Sequence, residues 1–352
     1  MRTPDVRYVS GLCWGFLYRN ERNNMNVMYL CNNNYAMVAG VSICSLLDHN
    51  LDIDEINIFL VADNIANGNL KRLQSIVDFY NRNLFIIPKP DMKELLECDV
   101  ETHWWIDNVF SRILLGEVLK EYRFVHRLIY IDCDTLIVGS IKDLWELDLC
   151  GNIGAGVCEA MGNVHKKAIG LSKEDNYFNA GMFLVDVDRW RLENKDNAAR
   201  KFIKEVRGKL EYADESVLNG ILAKEMLRLS PKYNLTSLSF YFTSKELIKY
   251  RKSYINYTEE ERIEALNDAR IVHFTSTYLD VRPWVEGCRH PYTEKWHEYK
   301  EKTPWKNQEL RKDNRTIVKR IARKAAILMP KQMRLLLTGL VHAYIKPLKY
   351  MQ

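Results

Sequence analysis

The stretch Arg127–Leu149, RLIYIDCDTLIVGSIKDLWELDL, decides the fold. Leu128 to Ile131 is an almost wholly apolar run that ends abruptly in Asp132-Cys133-Asp134, as a strand buried on both faces does where it leaves its sheet. Upstream the same alternation repeats. Asn26 to Cys31 (NVMYLC) is a short apolar strand, followed by Asn32-Asn33-Asn34-Tyr35 and then by Ala36 to Leu47 at helical spacing. Ile56 to Val61 and Leu84 to Ile87 read as further strands, with a helix from Leu70 to Tyr80 between them and Pro88 and Pro90 closing the second. Ser111 to Leu119 bunches its apolar residues as a buried helix does. Downstream, Phe178-Asn179-Ala180-Gly181 opens a strand over Met182 to Val187, a helix is predicted over Ala198 to Leu210, and Ile271-Val272 leads into His273. Strands alternating with helices predict an α/β fold with a mostly parallel central sheet flanked by helices.

At 352 residues the chain suits one large domain or two, and 47% hydrophobic with 28% charged residues excludes disordered, collagenous and disulfide-stapled classes. No run of about 18 apolar residues occurs, which excludes a spanning helix, and the apolar stretch Val9 to Tyr18 lacks a small-residue cleavage site, which argues against export. The eight cysteines form no C-x-x-C and no zinc spacing, so they read as reduced, mostly buried small hydrophobes. Charge is divided unevenly. Residues 301–352 hold 13 Lys/Arg against 3 Asp/Glu, whereas residues 1–300 hold 38 against 43. A slightly acidic body with a basic anchoring tail is expected, and no nucleic-acid partner.

The tail has a definite pattern. Between Asn314 and Met329, Ile317, Val318, Ile321, Ala322, Ala325, Leu328 and Met329 share one helical face, Arg315, Lys319, Arg320, Arg323 and Lys324 lie largely elsewhere, and Pro330 stops the helix. A second apolar stretch runs from Met333 to Ile345. Such a tail either lies in an anionic membrane interface or docks on the protein's own body. The densely cationic face favours the membrane, which places the protein in the cytoplasm, peripheral at the inner face. The expected organisation is an extension over residues 1–25, a body over 26–300 and the basic tail over 301–352. A start at Met25 would reach the first strand almost at once, so residues 1–24 are expected to be a poorly packed extension or an over-called start.

In open α/β sheets ligands bind beyond the carboxyl ends of strands, which is where Asp132 and Asp134 lie. A spacing of two in extended chain points both carboxylates to one side, and their repulsion asks for a cation or protons between them. The alternative is a pair of solvated loop aspartates. His273, ending the strand IVH, suits a third ligand, although a lone histidine there also reads as a core or rim residue. Mixed oxygen and nitrogen ligation with open positions suits manganese, and magnesium less well. Arg282-Pro283-Trp284 offers a permanent charge held by a stiff proline, a candidate diphosphate clamp.

Read in order, Asn32-Asn33-Asn34-Tyr35, Arg112 in FSRILL, Asp132-Cys133-Asp134, Phe178-Asn179-Ala180-Gly181 in YFNAGMFLVDVDRW, Tyr212-Ala213-Asp214-Glu215 in YADESVLNG, and His273 with Arg282-Pro283-Trp284 resemble the family 8 glycosyltransferases. Each motif is weak alone, but six in order over residues 26–300 are specific. The resemblance implies a GT-A catalytic domain, a UDP-hexose donor, a manganese ion and transfer with retention of configuration. By that similarity Asp132, Asp134 and His273 are the metal ligands. Tyr35 stacks on uracil and Asn32 bonds its edge, with Asn34 and Cys133 also on the donor. Arg282 shares the diphosphate charge, while Arg112, Asn179, Ala180 and Asp214 hold the sugar hydroxyls. Catalysis falls to Asp214, Glu215 and Asn179, with Glu215 nearest the β-face of the transition state. The acceptor is a saccharide or glycolipid in cell-surface polysaccharide or lipopolysaccharide synthesis, met by variable loops, here Glu159 to Lys173 and Ser239 to Tyr257.

Three positions depart from the family pattern. Asn32 replaces Asp, and its amide oxygen still accepts from uracil. Glu215 replaces Gln, and a carboxylate there suits either a nucleophile in double displacement or a structural hydrogen-bonding role. Arg282 replaces Lys. Two other functions compete. LIYIDCDTL also fits the first motif of haloacid-dehalogenase-like phosphohydrolases, with Asp132 as nucleophile and Asp134 as acid, but it lies far into the chain and no later acidic pair stands out. A non-catalytic sugar-nucleotide binder is the other, and an intact Asp132, Asp134, His273 set argues against it.

Overall fold

The computed structural model describes residues 24–96 and 107–345; of the extension expected over 1–25, residues 1–23, with Val9 to Tyr18 and Cys13, lie outside the described residues, as does Cys98, whereas Asn24 and Met25 belong to the first strand. The strands are β1 (Asn24–Asn32), β2 (Glu55–Asp63), β3 (Asn83–Pro88), β4 (Arg127–Ile131), β5 (Thr135–Ile137), β6 (Gly154–Cys158), β7 (Phe178–Asp186), β8 (Met226–Arg228), β9 (Leu235–Thr236) and β10 (Ile271–His273). The longer helices are α1 (Ala36–Asp48), α2 (Asn67–Phe79), α3 (Lys195–Glu205), α4 (Ala213–Leu222), α5 (Ser244–Arg251), α6 (Glu259–Asn267), α7 (Thr293–Glu301), α8 (Ile317–Leu328) and α9 (Lys331–Leu340).

Seven strands form one sheet in the order β3-β2-β1-β4-β7-β6-β8, parallel except where β7 meets β4 and β6. The apolar runs read from sequence occupy its centre because they are covered on both faces. Along β1, Val27, Tyr29 and Cys31 enter one core and Met28 and Leu30 the other, as a period of two requires. A second, small sheet has the order β5-β10-β9. The chain leaves the large sheet after Ile131 and enters the small one at Thr135, so Asp132 to Asp134 form the seam between them.

Three expectations are corrected. Ser111 to Leu119 is not one helix; a 3-10 turn over Asp107–Ile113 is followed by one short turn, Leu115–Val118. The buried Asp196 carboxylate accepts from the Gly116 and Glu117 amides at 3.1 and 2.7 Å, which satisfies donors that a continuous helix would have bonded internally. Phe178 to Gly181 do not precede a strand but are its first residues. The helix expected over 198–210 starts earlier, at Lys195, because Asn194 caps it through Asn197.

Residues past 300 also join the body. Thr303 and Trp305 are buried, and the Trp305 ring lies so close to α1 that a Cβ on Gly40 would come within 2.4 Å of it. Further on, Arg311 pairs in parallel with Val285. Only then does the exposed, amphipathic part of the tail begin. α9 buries Leu335 against Leu238, Phe242 and Tyr250, and Gly339 lets it approach the Lys249 and Tyr250 carbonyls of α5. Ile317, Ile321 and Leu328 of α8 and Leu336, Leu337, Leu340 and Val341 remain exposed. Docking and an exposed apolar face therefore coexist in the tail. Replacing Trp305 by Ala is expected to cost about 3–5 kcal/mol of unfolding free energy in urea titration, as for any large aromatic removed from a core; a loss below about 1 kcal/mol would show that the segment merely rests on the surface.

Candidate active site

Antiparallel pairing of β5 with β10 sets His273 opposite Thr135 and so returns the imidazole to the seam. Its Nε2 lies 3.2 Å from Asp134 Oδ1 and 3.8 Å from Asp132 Oδ2, and one ligand atom from each of the three residues lies within 4.8 Å of the others. Asp132 is held from behind, its Oδ1 accepting from the Tyr130 hydroxyl at 2.5 Å and from Arg112 Nη1 at 2.9 Å. Cys133, between them, points the other way. Its buried thiol donates to the Leu30 carbonyl at 2.9 Å, so its side chain belongs to the core and not to the cleft where the donor was expected to meet it.

The proton on His273 follows from a chain of hydrogen bonds. The Gly181 backbone N–H can only donate, so Asn179 Oδ1, 3.0 Å away, accepts. Asn234 must then donate its Nδ2 to the same oxygen, at 2.8 Å, which leaves Asn234 Oδ1 to accept from His273 Nδ1 at 2.9 Å. Nδ1 carries a hydrogen, so Nε2 is the atom that faces the two carboxylates. Burial lowers the imidazole pKa, but the Asp134 and Asp132 charges outweigh it and raise it, so without a cation Nε2 is favoured to hold a proton toward Asp134. Three potential ligand atoms converge, each side chain anchored from behind by further hydrogen bonds or ion pairs. Such a set of two carboxylates and one imidazole could hold a divalent cation. Burial pushes the Asp134 carboxyl up, but His273 and Arg282 outweigh it and hold it at about 2.

Beside this triad sits a second acidic group. α4 begins with Asp214 and Glu215, turned into place by Ala213 in the left-handed region (φ 41°). Asp214 Oδ2 pairs with Arg112 Nε at 2.9 Å, so one buried guanidinium, stacked on Tyr130, ties Asp132 to Asp214 and also donates to the Ala180 carbonyl at 2.9 Å. Burial raises the Asp214 carboxyl to about 6 despite Arg112. Glu215 Oε2 accepts from the Ala180 amide at 3.0 Å and from Asn179 Nδ2 at 3.2 Å, and its Oε1 from the Tyr177 hydroxyl at 3.0 Å. Asn179 Nδ2 also reaches Glu159, which pairs with Arg251 at 2.7 Å. Burial, and then the neighbouring Glu159 charge, push Glu215 up to about 8.

On the other side, Asn32 ends β1 and accepts from the Tyr35 amide at 3.1 Å, leaving its oxygen one more lone pair. Asn34 is exposed. The Tyr35 hydroxyl accepts from Arg282 Nη1 at 2.8 Å, and Arg282 Nη2 pairs with Asp134 at 3.1 Å, which ties the β1 loop to the triad. All the site residues expected from sequence, apart from the Cys133 side chain, thus flank one seam. Tyr130, Glu159, Tyr177, Asn234 and Arg251 complete the surroundings and were not expected in these roles. Tyr130 had a signal, lying two residues before Asp132 and so on the same face of the strand, and Glu159 and Arg251 belong to the two segments expected to meet an acceptor, although not as partners of each other.

Residues 26–288 match the model of the family described as Glycosyl transferase family 8. General stress protein A of Bacillus subtilis (strain 168) is 27% identical over 80% of this chain and 94% of its own length. The lipopolysaccharide 1,2-glucosyltransferase of Escherichia coli K12 is 25% identical over 90% of this chain and 89% of its own, and the lipopolysaccharide 1,3-galactosyltransferase of Salmonella typhimurium is 23% identical over 84% and 83%. The crystal structure of galactosyltransferase LgtC with donor and acceptor sugar analogues has a similar fold, with a TM-score of 0.67 at 18% identity over 80% of this chain and 99% of that one.

A carboxyl whose pKa is raised on folding binds its proton more tightly in the native state, so it favours folding at low pH and that contribution is lost as pH rises through the folded value. With Glu215 moved from an ordinary 4.5 to about 8, the stability of the metal-free protein should fall across that window, by at most about 1.4 kcal/mol per pH unit from this group. Urea unfolding at pH 5 and pH 8 should show Glu215→Gln gaining on the wild type at the higher pH; equal pH dependence in both proteins would contradict the raised value.

Proposed function

The chain belongs to glycosyl transferase family 8 and carries the GT-A fold, and on that footing we propose that it moves a hexose, glucose or galactose, from a UDP-sugar to a saccharide acceptor with retention of configuration. The similarity to lipopolysaccharide glucosyl- and galactosyltransferases supports a glycan or glycolipid acceptor in cell-surface polysaccharide or lipopolysaccharide synthesis. The observation that carries the reading is the convergence of Asp132, Asp134 and Nε2 of His273, whose Nδ1 is tied to Asn234. Two carboxylate oxygens and one imidazole suit Mn²⁺, with Mg²⁺ second. When bound, the cation supplies positive charge to the diphosphate as the glycosidic bond breaks.

The protein groups divide the remaining work. Arg282 adds a second positive charge on the diphosphate side, and Tyr35 offers a ring for uracil with Asn32 at the base edge. Arg112, Asp214, Asn179 and the Ala180 backbone line the sugar side. Glu215, held near 8, is largely protonated at neutral pH in the free protein, so it serves as a hydrogen-bonding partner beside Asn179 before it can serve as a nucleophile. The phosphohydrolase reading gives way to the family membership. A nucleophilic Asp132 needs an open attacking oxygen, whereas Oδ1 is bonded by Tyr130 and Arg112 and Oδ2 faces His273.

Among the described residues no helix is long and apolar enough to cross a membrane. The exposed apolar residues of α8 and α9, set among Arg320, Lys324 and Lys331, support attachment to an anionic membrane surface, at the inner face in a cytoplasmic protein, beside a lipid-linked acceptor.

UDP release from UDP-glucose or UDP-galactose should require Mn²⁺, stop on chelation, and fall about a hundredfold or more in Asp134→Ala; metal-independent turnover surviving that substitution would defeat the proposal. A chain ending after Thr316 should lose flotation with anionic vesicles while keeping its affinity for UDP, and undiminished flotation would place the attachment elsewhere.

A further inference from the structure

The segment that follows α7 lies beyond the 26–288 family match, yet it reaches the donor side of the cleft. It is pinned at two points. Trp305 is buried under α1, with Arg72 placed over its ring, and Arg311 is held in parallel to Val285, its amide donating to the Trp284 carbonyl and its carbonyl accepting from the Glu286 amide, both at 2.9 Å. Gln308, between the pins, and Arg311, the second pin, face the loop after β1 across a cavity of about 540 Å³ whose other walls are Asn33, Asn34, Tyr35 and Asn69. That is the size of a pocket for a small organic ligand. Its walls are amides, one aromatic ring and one guanidinium, which suits a base and a ribose and lacks the carboxylates of the triad.

Arg311 is the pivotal wall. Its guanidinium carbon sits 5.5 Å from the centre of the Tyr35 ring, and its Nη2 donates to the Asn34 carbonyl. The same side chain borders a second cavity of about 400 Å³ that includes Ser276 and Arg282, so it partitions the ring-lined space from the diphosphate side. Tyr35 is thereby bracketed by Arg282 at its hydroxyl, Trp284 at its edge and Arg311 at its ring. We propose that Gln308 and Arg311, on this strap after the family core, form the outer wall of the nucleoside pocket, with Arg311 already standing beside the base and ribose of the UDP-sugar. The inference rests on the UDP-sugar reading above and adds to it a binding element from outside the family region. A planar guanidinium stacks on a nucleobase as readily as on tyrosine, and the strap's two pins hold it in place before the ligand arrives.

Calorimetry of the full chain in Mn²⁺ with UDP, uridine and inorganic pyrophosphate tests this. Arg311→Ala should weaken UDP and uridine by the same factor, about tenfold, and leave pyrophosphate affinity and the thermal midpoint unchanged; Gln308→Ala should show a smaller loss of the same pattern. Unchanged UDP affinity in both variants would overturn the inference alone. So would a loss shared by pyrophosphate, which would make Arg311 a phosphate contact. A wild-type chain that binds pyrophosphate but no uridine compound would overturn the UDP-sugar reading together with this one.

Discussion

Two carboxylates aimed at one point repel one another unless a positive charge, a proton on the facing imidazole or a cation, stands between them, and much of this structure keeps the three groups aimed there. The aim is set by Gly181. Its amide begins the sequence of hydrogen bonds that runs through Asn179 and Asn234 to His273, and its missing side chain makes room for the ring, since a Cβ there would come within 2.2 Å of His273 Cε1. One residue therefore sets both the direction of the proton and the clearance for the imidazole. Tyr130 and Arg112 do the equivalent for Asp132, occupying one oxygen so that the other is turned inward.

The surrounding charges follow the same logic. Asp132, Asp134, Glu159, Asp214 and Glu215 outnumber Arg112, Arg251 and Arg282, and each arginine bridges or borders carboxylates without reaching the centre of the seam. The two triad carboxylates each have an arginine partner and Asp134 is held low, whereas burial leaves Asp214 and Glu215 raised, so uncompensated negative charge is penalised most beside the triad, at the start of α4. Glu215 lies one hydrogen bond from Asn179, so the protonation of Glu215 and the orientation of His273 through Asn234 share a common residue.

Much of this was legible in the sequence, for identifiable reasons. The central strands announce themselves because burial on both faces demands unbroken apolar runs, and the acidic pair is conspicuous because it follows such a run without an intervening turn. His273 was legible for the same cause, at the end of IVH. What escaped was whatever depends on partners distant along the chain. Asn234 has no local pattern that marks it as the support of a histidine 39 residues away. Glu159 and Arg251 meet across 92 residues. The break at Leu114 depends on Asp196, in another helix. Cys133 was drawn into the cleft by its neighbours in the motif, although strand alternation turns its thiol into the core. The tail was divided at residue 300 on composition, whereas Trp305 and Arg311 fit sites on the body that only the folded chain creates.

The lock between Gly40 and Trp305 joins residues made early to residues made late. During synthesis the first sheet strands and α1 leave the ribosome long before Trp305 can reach them. Trp284, Trp296, Tyr299 and Trp305 all enter the core that covers α1, so a product cut short just after the acidic centre would carry the triad residues but leave that face of the central sheet uncovered.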